Sequence, residues 1–345
     1  MIDDAIIIEE FKRLTLEILH HDGPRGILVG LVGELVDILE NAADTQFEHP
    51  SDITEGKTSS RDGLAISPTQ AAMCATEEQR TALFLRGLHD AITGALELKS
   101  SEPVRVLYAG SGPYATLATP LMTVFPPGKV QFTVLDIHPA SIDSAKSVIG
   151  RLGLEQSVEE FVVGDACHYI IPREATPDVI VSETMSTALE KEPQVAIMRH
   201  LLSQAPEAVI VPESVKLDAF LVDTSNEPER IVPDCEGSAN SSQPDRIPLG
   251  PVFELNASTI RSWDALSTER LPAAQIEVAH PLKPGYRPFI FTTITTYGKH
   301  VLGTHDCNLT GIREISGIDH LAPDSTLQFH YRLGPDPRLV AEATD

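Results

Sequence analysis

The feature that most constrains this chain is a regular alternation, between Pro103 and Val211, of short apolar runs with helix-period stretches. The apolar runs are Val104 to Ala109, Val130 to Asp136, a strand near Phe161 to Val163, Val179 to Val181, and Ala208 to Val211. Between them, helices are expected from about Tyr114, from about Ala140 to Leu152, and near Val195 to Leu202. Parallel strands need a crossover connection, so strands that alternate with helices predict an α/β class built on a parallel sheet. On the N-terminal side, Ile7, Phe11, Leu14 and Ile18 recur at helical spacing, and a second run spans Ile27 to Leu39 after the Asp22-Gly-Pro break. Residues 43 to 62 are polar and loop-like. A further helix is expected from Thr76 to about Leu98, opened by Thr76 and Gln79 at capping-box spacing. Beyond Pro212, Val215 to Val222, Phe289 to Tyr297 and Leu327 to Tyr331 favour strands, whereas 224 to 250 is rich in Pro, Ser, Asn and Asp. The expected organisation is an N-terminal helical segment over 1–62, an α/β domain over 63–212 and a mainly antiparallel β region over 213–345, without internal repeats.

Charge narrows the partners. A net charge of −24 over 345 residues argues against a nucleic-acid surface, which needs a basic footprint, and is compatible with a small cationic substrate. Met1-Ile-Asp-Asp4 lacks the basic flank of a signal peptide, and the run from Ile27 to Leu39 is short and interrupted by Glu34 and Asp37. A cytoplasmic chain that does not enter a membrane is expected. Cys74, Cys167, Cys235 and Cys307 are far apart, without the paired spacing of metal or redox motifs, so reduced thiols and no metal are expected. Asn256-Ala-Ser and Asn308-Leu-Thr match glycosylation acceptors only formally.

The first strand of the alternating region runs into Gly110-Ser-Gly112, small residues that let the backbone approach a bound nucleoside. The second strand ends at Asp136, where a carboxylate can accept two ribose hydroxyls, and Gly164-Asp165-Ala166 follows the third. A nicotinamide dinucleotide is formally allowed, with Ala115 standing for a third glycine, but Pro113 and Tyr114 crowd the turn a pyrophosphate needs. The ordered set resembles the class I S-adenosylmethionine-dependent methyltransferases. That resemblance implies a Rossmann-like core over 63–212, S-adenosyl-L-methionine as cofactor, and cofactor contacts from Gly110, Gly112, Asp136, Asp165 and Ala166. The family commonly has an acidic residue two positions before the first glycine; here it is Tyr108.

After the fourth strand come Ser182-Glu-Thr-Met-Ser-Thr-Ala-Leu-Glu-Lys-Glu192, with Glu183 and Glu192 nine positions apart around a turn. Two solvated helix-cap carboxylates would also fit, since acidic groups are favourable near a helix N-terminus. In its context, the stretch resembles the double-glutamate loop of the protein arginine methyltransferases; Glu190 is a rival for the second carboxylate, and the spacing favours Glu192. Gly63-Leu-Ala-Ile66, Met73 and Arg80-Thr81 are similar to that family's pre-core helix, which implies that Arg80 grips the donor's carboxylate. Thr304-His305-Asp306 stands where the family has a Thr-His-Trp loop, without the tryptophan, and implies a place for His305 near the substrate. A guanidinium stays protonated near neutral pH and is a poor nucleophile. Two carboxylates can fix its plane and draw charge away from the nitrogen that reacts. The function implied is methylation of a guanidinium nitrogen, with Glu183, Glu192 and His305 at the reacting end. Some bacterial relatives methylate free arginine in natural-product pathways. The stretch from Asn226 to Pro251 does not read as a helical dimerisation arm, which favours free L-arginine or a small guanidine over a peptide arginine. Another amine or hydroxyl acceptor, or a donor-binding protein without catalysis, stays open, as does a homodimer.

Overall fold

A computed structural model describes residues 4–44, 54–99, 102–225, 227, 245–263, 269–278, 285–316, 318 and 325–344. The chain opens with α1 (Asp4–His20) and α2 (Arg25–Ala42), then β1 (Thr58–Ser59), β2 (Leu64–Ala65), α3 (Pro68–Cys74) and α4 (Glu78–Leu98). The alternating region follows as β3 (Val104–Ala109), α5 (Thr119–Met122), β4 (Val130–Asp136), α6 (Pro139–Arg151), β5 (Val158–Val163), β6 (Val179–Ser182), α7 (Gln194–Gln204) and β7 (Val209–Val211). The last part is β8 (Ser214–Asp223), β9 (Arg246–Asn256), α8 (Ala257–Trp263), β10 (Arg270–Glu277), β11 (Tyr286–Tyr297), β12 (His300–Leu302), β13 (Arg313–Glu314), β14 (Thr326–Arg332) and β15 (Arg338–Thr344).

Strands β3 to β7 form a parallel sheet in the order β5-β4-β3-β6-β7, with Val104 opposite Val130 and Val106 opposite Val179. Strand β6 is buried at every position and β3 and β4 at nearly every one, as sheets covered on both faces require, whereas β5 at the edge carries exposed Glu159 and Glu160. The order reverses between β3 and β6, so a crevice opens beyond their carboxyl ends. The β region pairs antiparallel throughout, as β12-β11-β8-β9 with β13 on β11, and as β10-β14-β15. The fold is thus α/β: a Rossmann-like parallel core with N-terminal helices and C-terminal antiparallel sheets. Helix α4 packs on both parts. At Gly87 a Cβ would sit 2.5 Å from Thr296 Oγ1, and Thr296 Oγ1 donates to Leu83 O at 2.8 Å, so the helix lies directly on β11.

Three local expectations change. In place of a helix from about Tyr114 there are turns and then the single-turn α5. Ala115 adopts a left-handed φ of 44°, and Pro120 lacks the N–H a continuing helix would donate. The capping box lies earlier in the chain: Ser67 and Gln70 close it at the start of α3, with Pro68 at the first helical position. Thr76 instead donates to Met73 O at 2.8 Å, and Glu77 is the N-cap of α4. Strand β9 occupies the end of the Pro-rich stretch; it is an edge strand whose register shifts near Pro248 and Pro251, where a missing N–H is tolerated. Of the expected Asn226–Pro251 irregular stretch, residues 226 and 228–244 lie outside the described residues, Cys235 among them. Among the described residues no helix is long and apolar enough to cross a membrane.

Candidate active site

Beyond the carboxyl ends of β3, β4, β5 and β6 lies a cleft of roughly 1030 Å³, including its open mouth. Arg80, Gly110, Gly112, Asp136, Asp165, Ala166, Glu183 and Glu192 all line it, with Tyr108 and Cys74. Consecutive strand ends therefore deliver one residue group each: the glycine turn after β3, Asp136 on β4, Asp165 after β5 and Glu183 after β6.

The glycine turn is built for close approach. Gly110 has φ +76°, and a Cβ there would lie 2.2 Å from Thr184 Cγ2. Gly112, at φ +65°, donates its N–H to Asp136 Oδ2 at 2.9 Å, and the His138 N–H donates to Asp136 Oδ1 at 2.8 Å. Two amides thus orient the Asp136 carboxylate while leaving each oxygen able to accept again. Asp165 is oriented in the same way, by the Cys167 N–H at 2.9 Å. Tyr108 is 4% exposed; burial, and then the charge of Glu183, push its phenol far up, so it is neutral and supplies no charge to this wall.

The loop from Ser182 to Glu192 is tightly held. Ala188, Leu189 and Lys191 have φ of +59°, +56° and +66°, conformations costly for residues with a Cβ and sustained only by surrounding contacts. Gln194, fully buried, supplies several. Its Nε2 donates to Ser182 O at 2.9 Å, and its Oε1 accepts from Thr184 N and Thr184 Oγ1, each at 2.9 Å. Farther round, Tyr331 Oη donates to Leu189 O at 2.7 Å, Lys191 N to Pro337 O at 2.8 Å, and Leu64 N to Lys191 O at 2.8 Å. Glu190 turns away from the cleft onto Arg313, 2.8 Å from its Nε, and Glu192 turns inward.

Arg80 closes one side. Its Nε donates to Glu183 Oε2 at 2.9 Å, its Nη2 reaches the same oxygen, and its Nη1 donates to Glu77 Oε1 at 3.1 Å. Glu183 Oε1 is buried without a hydrogen-bond partner. Burial raises the Glu183 carboxyl above the usual carboxylate range, with Arg80 opposing. Burial works to lower the Arg80 pKa, but Glu183, Cys74 and Glu77 outweigh it and hold the guanidinium charged. Burial, and then the neighbouring Glu183, push Glu192 up to about 8. Around Arg80 the cleft therefore holds the carboxyl groups of Glu183 and Glu192, the latter largely protonated near neutral pH, while Asp136 and Asp165 line the same cleft.

His305 does not line the cleft. It is 8% exposed with φ +67°, and its Nε2 lies 3.5 Å from Glu227 Oε1. Its loop reaches the cleft indirectly: Asn308 N and Nδ2 donate to Glu77 at 2.9 and 3.1 Å, and Glu77 holds Arg80. The sequence reading missed Glu77, Thr184 and Gln194. Glu77 and Thr184 carry no motif, and a polar residue next to Pro193 gives no sign that it is buried. Asp62, Asp165 and His168 bring ligand atoms within 4.8 Å of one another, but the His168–Asp62 ion pair at 3.2 Å accounts for that proximity.

The sequence matches no protein-family model, and no curated protein matches it. Solved structures do match. One is the Trypanosoma brucei PRMT1 enzyme-prozyme heterotetrameric complex with AdoHcy, at 15% identity and a TM-score of 0.50, covering 77% of this chain and 89% of that chain. At that identity the likeness is one of fold, and it agrees with the α/β architecture described above.

Proposed function

We propose that this protein is an S-adenosylmethionine-dependent N-methyltransferase that methylates a guanidinium nitrogen, with free L-arginine or a small guanidine as acceptor. One observation carries the proposal: in a cleft at the carboxyl ends of the strands, Glu183 already holds one guanidinium, that of Arg80, while its second oxygen is buried without a partner and Glu192 lines the same space. The cleft offers what the donor needs. Left-handed glycines at 110 and 112 line the cleft where a nucleoside would pass, Asp136 has acceptor capacity for ribose hydroxyls, Asp165 and Ala166 line the side proposed for the purine, and Arg80 is a buried cation for the donor's carboxylate. The donor, when bound, supplies an electrophilic methyl on a sulfonium.

The chain's residues do the rest. Glu183 and Glu192 accept charge-assisted hydrogen bonds from two guanidinium nitrogens and fix the plane of the third, which turns catalysis largely into a matter of orientation and preorganised charge. His305 lies outside the cleft lining, which leaves the two glutamates to take the proton released by the product nitrogen. A peptide arginine is the second acceptor class, favoured by the likeness to the Trypanosoma brucei PRMT1 complex, in which AdoHcy is bound. That complex is heterotetrameric, and assembly of this chain with a partner or a second copy belongs with this alternative.

The test is to incubate the pure protein with the methyl donor and separate pools of arginine, related guanidines, other amines and arginine-rich peptides, and to read mass increments. A methylated product in the free-guanidine pool is expected. Product only in the peptide pool favours the second acceptor; product only on other amines, or none at all, overturns the guanidinium assignment. Glu183→Gln and Glu192→Gln should retain donor binding and lose turnover by roughly 100-fold or more.

A further inference from the structure

On the far side of the glutamate loop a second cavity opens between the two antiparallel sheets, with a volume of about 680 Å³ including its open mouth. Its floor is apolar: Phe329 is 1% exposed, Ile290 4% and Ile315 9%. Its rim carries Arg313, Arg332 and Arg338. The ion pairing around that rim leaves an imbalance. Arg313 pairs with Glu190 at 2.7 Å, Arg287 pairs with Glu314 at 2.9 Å, and Arg332 and Arg338 share the single carboxylate of Asp336. Among the described residues, four guanidinium groups thus face three carboxylates, in a chain whose net charge is −24. The three rim arginines are nearly half exposed, so their remaining N–H groups reach the opening.

We propose that this cavity binds a small organic carboxylate with an apolar body. Its two oxygens lie on the forked donors of Arg338 and Arg313, and its body lies on Phe329 and Ile290. The chemistry is specific in both parts. Guanidinium forks match a carboxylate bidentately. The apolar patch of Phe329, Ile290 and Ile315 within a lining that also holds Ser316, Glu190 and Glu314 rewards a hydrocarbon body and gives a bare inorganic anion little beyond the rim. The overall negative charge of the chain opposes any anion at long range, so the attraction is confined to the rim and is felt within a Debye length. The inference is independent of the methyl-transfer proposal, because the two cavities share only the glutamate loop: Ala188 and Glu190 face this one, and Glu183 and Glu192 the other.

The test is isothermal titration of the full chain at fixed ionic strength with benzoate, with benzamide as its uncharged counterpart, and with inorganic phosphate. Saturable benzoate binding is expected, at least tenfold tighter than either comparator. Arg338→Gln and Arg313→Gln, each checked for an unchanged melting transition, should weaken benzoate at least fivefold. The half-exposed position of both side chains favours folding of the variants, and Arg332→Gln serves as a third probe of the same rim. Equal affinity for benzoate and benzamide, phosphate binding as tight as benzoate, no saturable binding, or affinity untouched by the rim substitutions would each overturn the proposal. So would loss of benzoate binding in Arg80→Met alone, because that result places the ligand in the main cleft.

Discussion

Glu192 offers a direct handle on the proposed chemistry. Burial and the adjacent Glu183 push its carboxyl from an ordinary 4.5 to about 8. Only about a tenth of the free protein then carries a charged Glu192 at pH 7, and about nine tenths at pH 9. The acceptor guanidinium titrates far above this range, so it contributes no slope of its own. The sign follows: binding a cation requires the charged form, so kcat/KM for the acceptor should climb about tenfold per pH unit below pH 7, gain about tenfold in all from pH 7 to pH 9, and level off above. Initial rates at saturating donor from pH 6 to pH 9.5 measure the profile. Glu192→Gln keeps the shape but cannot ionise, so its residual activity should be lower and flat through the same range. A flat profile in the parent, or an unchanged slope in Glu192→Gln, would refute the clamp as the origin of acceptor binding.

Three further outcomes are expected. Arg80→Met leaves the Glu183 carboxylate buried without its cation and should cost about 3 kcal/mol in urea denaturation, a loss that Arg80→Met with Glu183→Gln largely restores; equal stability of the two would show that the pair is uncoupled. Gly110→Ala places a Cβ 2.2 Å from Thr184 Cγ2 at φ +76°, so it should destabilise by at least about 2 kcal/mol and abolish donor binding. Adding Thr184→Ser, which removes that methyl and keeps the hydroxyl, should recover part of the stability, as thermal melts and donor titration will show. Gln194→Leu strips three hydrogen bonds from buried Ser182 and half-buried Thr184; a cost of about 2–3 kcal/mol and a fall in turnover larger than any change in donor affinity are expected, and wild-type turnover would mean the loop holds Glu183 without it.

Much of the fold was legible because it rests on local periodicity. Val104–Ala109, Val130–Asp136 and Val179–Ser182 are mainly apolar runs, as strands of a parallel sheet covered on both faces must be. The residues that leave those strands, Gly110, Asp136, Asp165 and Glu183, could be nominated from their place in the chain, since strand ends share one edge of a parallel sheet. The helix expected from Tyr114 was not legible as turns, because helical spacing there competes with backbone demands set by the packed Ala115 and Tyr114. Strand β9 was hidden by its prolines, which an edge position tolerates and which sequence composition counts against a strand.

Taken alone, the sequence determined the order of elements, the strand-end positions of the cofactor-type residues and the presence of two glutamates after β6, all of which depend on spacing along the chain. Between the two candidates for the second glutamate it favoured Glu192 by spacing alone, without showing what turns Glu190 away. That depended on Arg313, which lies 123 residues beyond Glu190 and captures it, so that the loop turns Glu192 into the cleft. The partner of Arg80, the orphaned oxygen of Glu183 and the contact of Asn308 with Glu77 likewise arise from contacts between distant segments. The physical reason is the same in each case: periodicity is a property of neighbours in sequence, whereas desolvation and ion pairing belong to groups that only folding brings together.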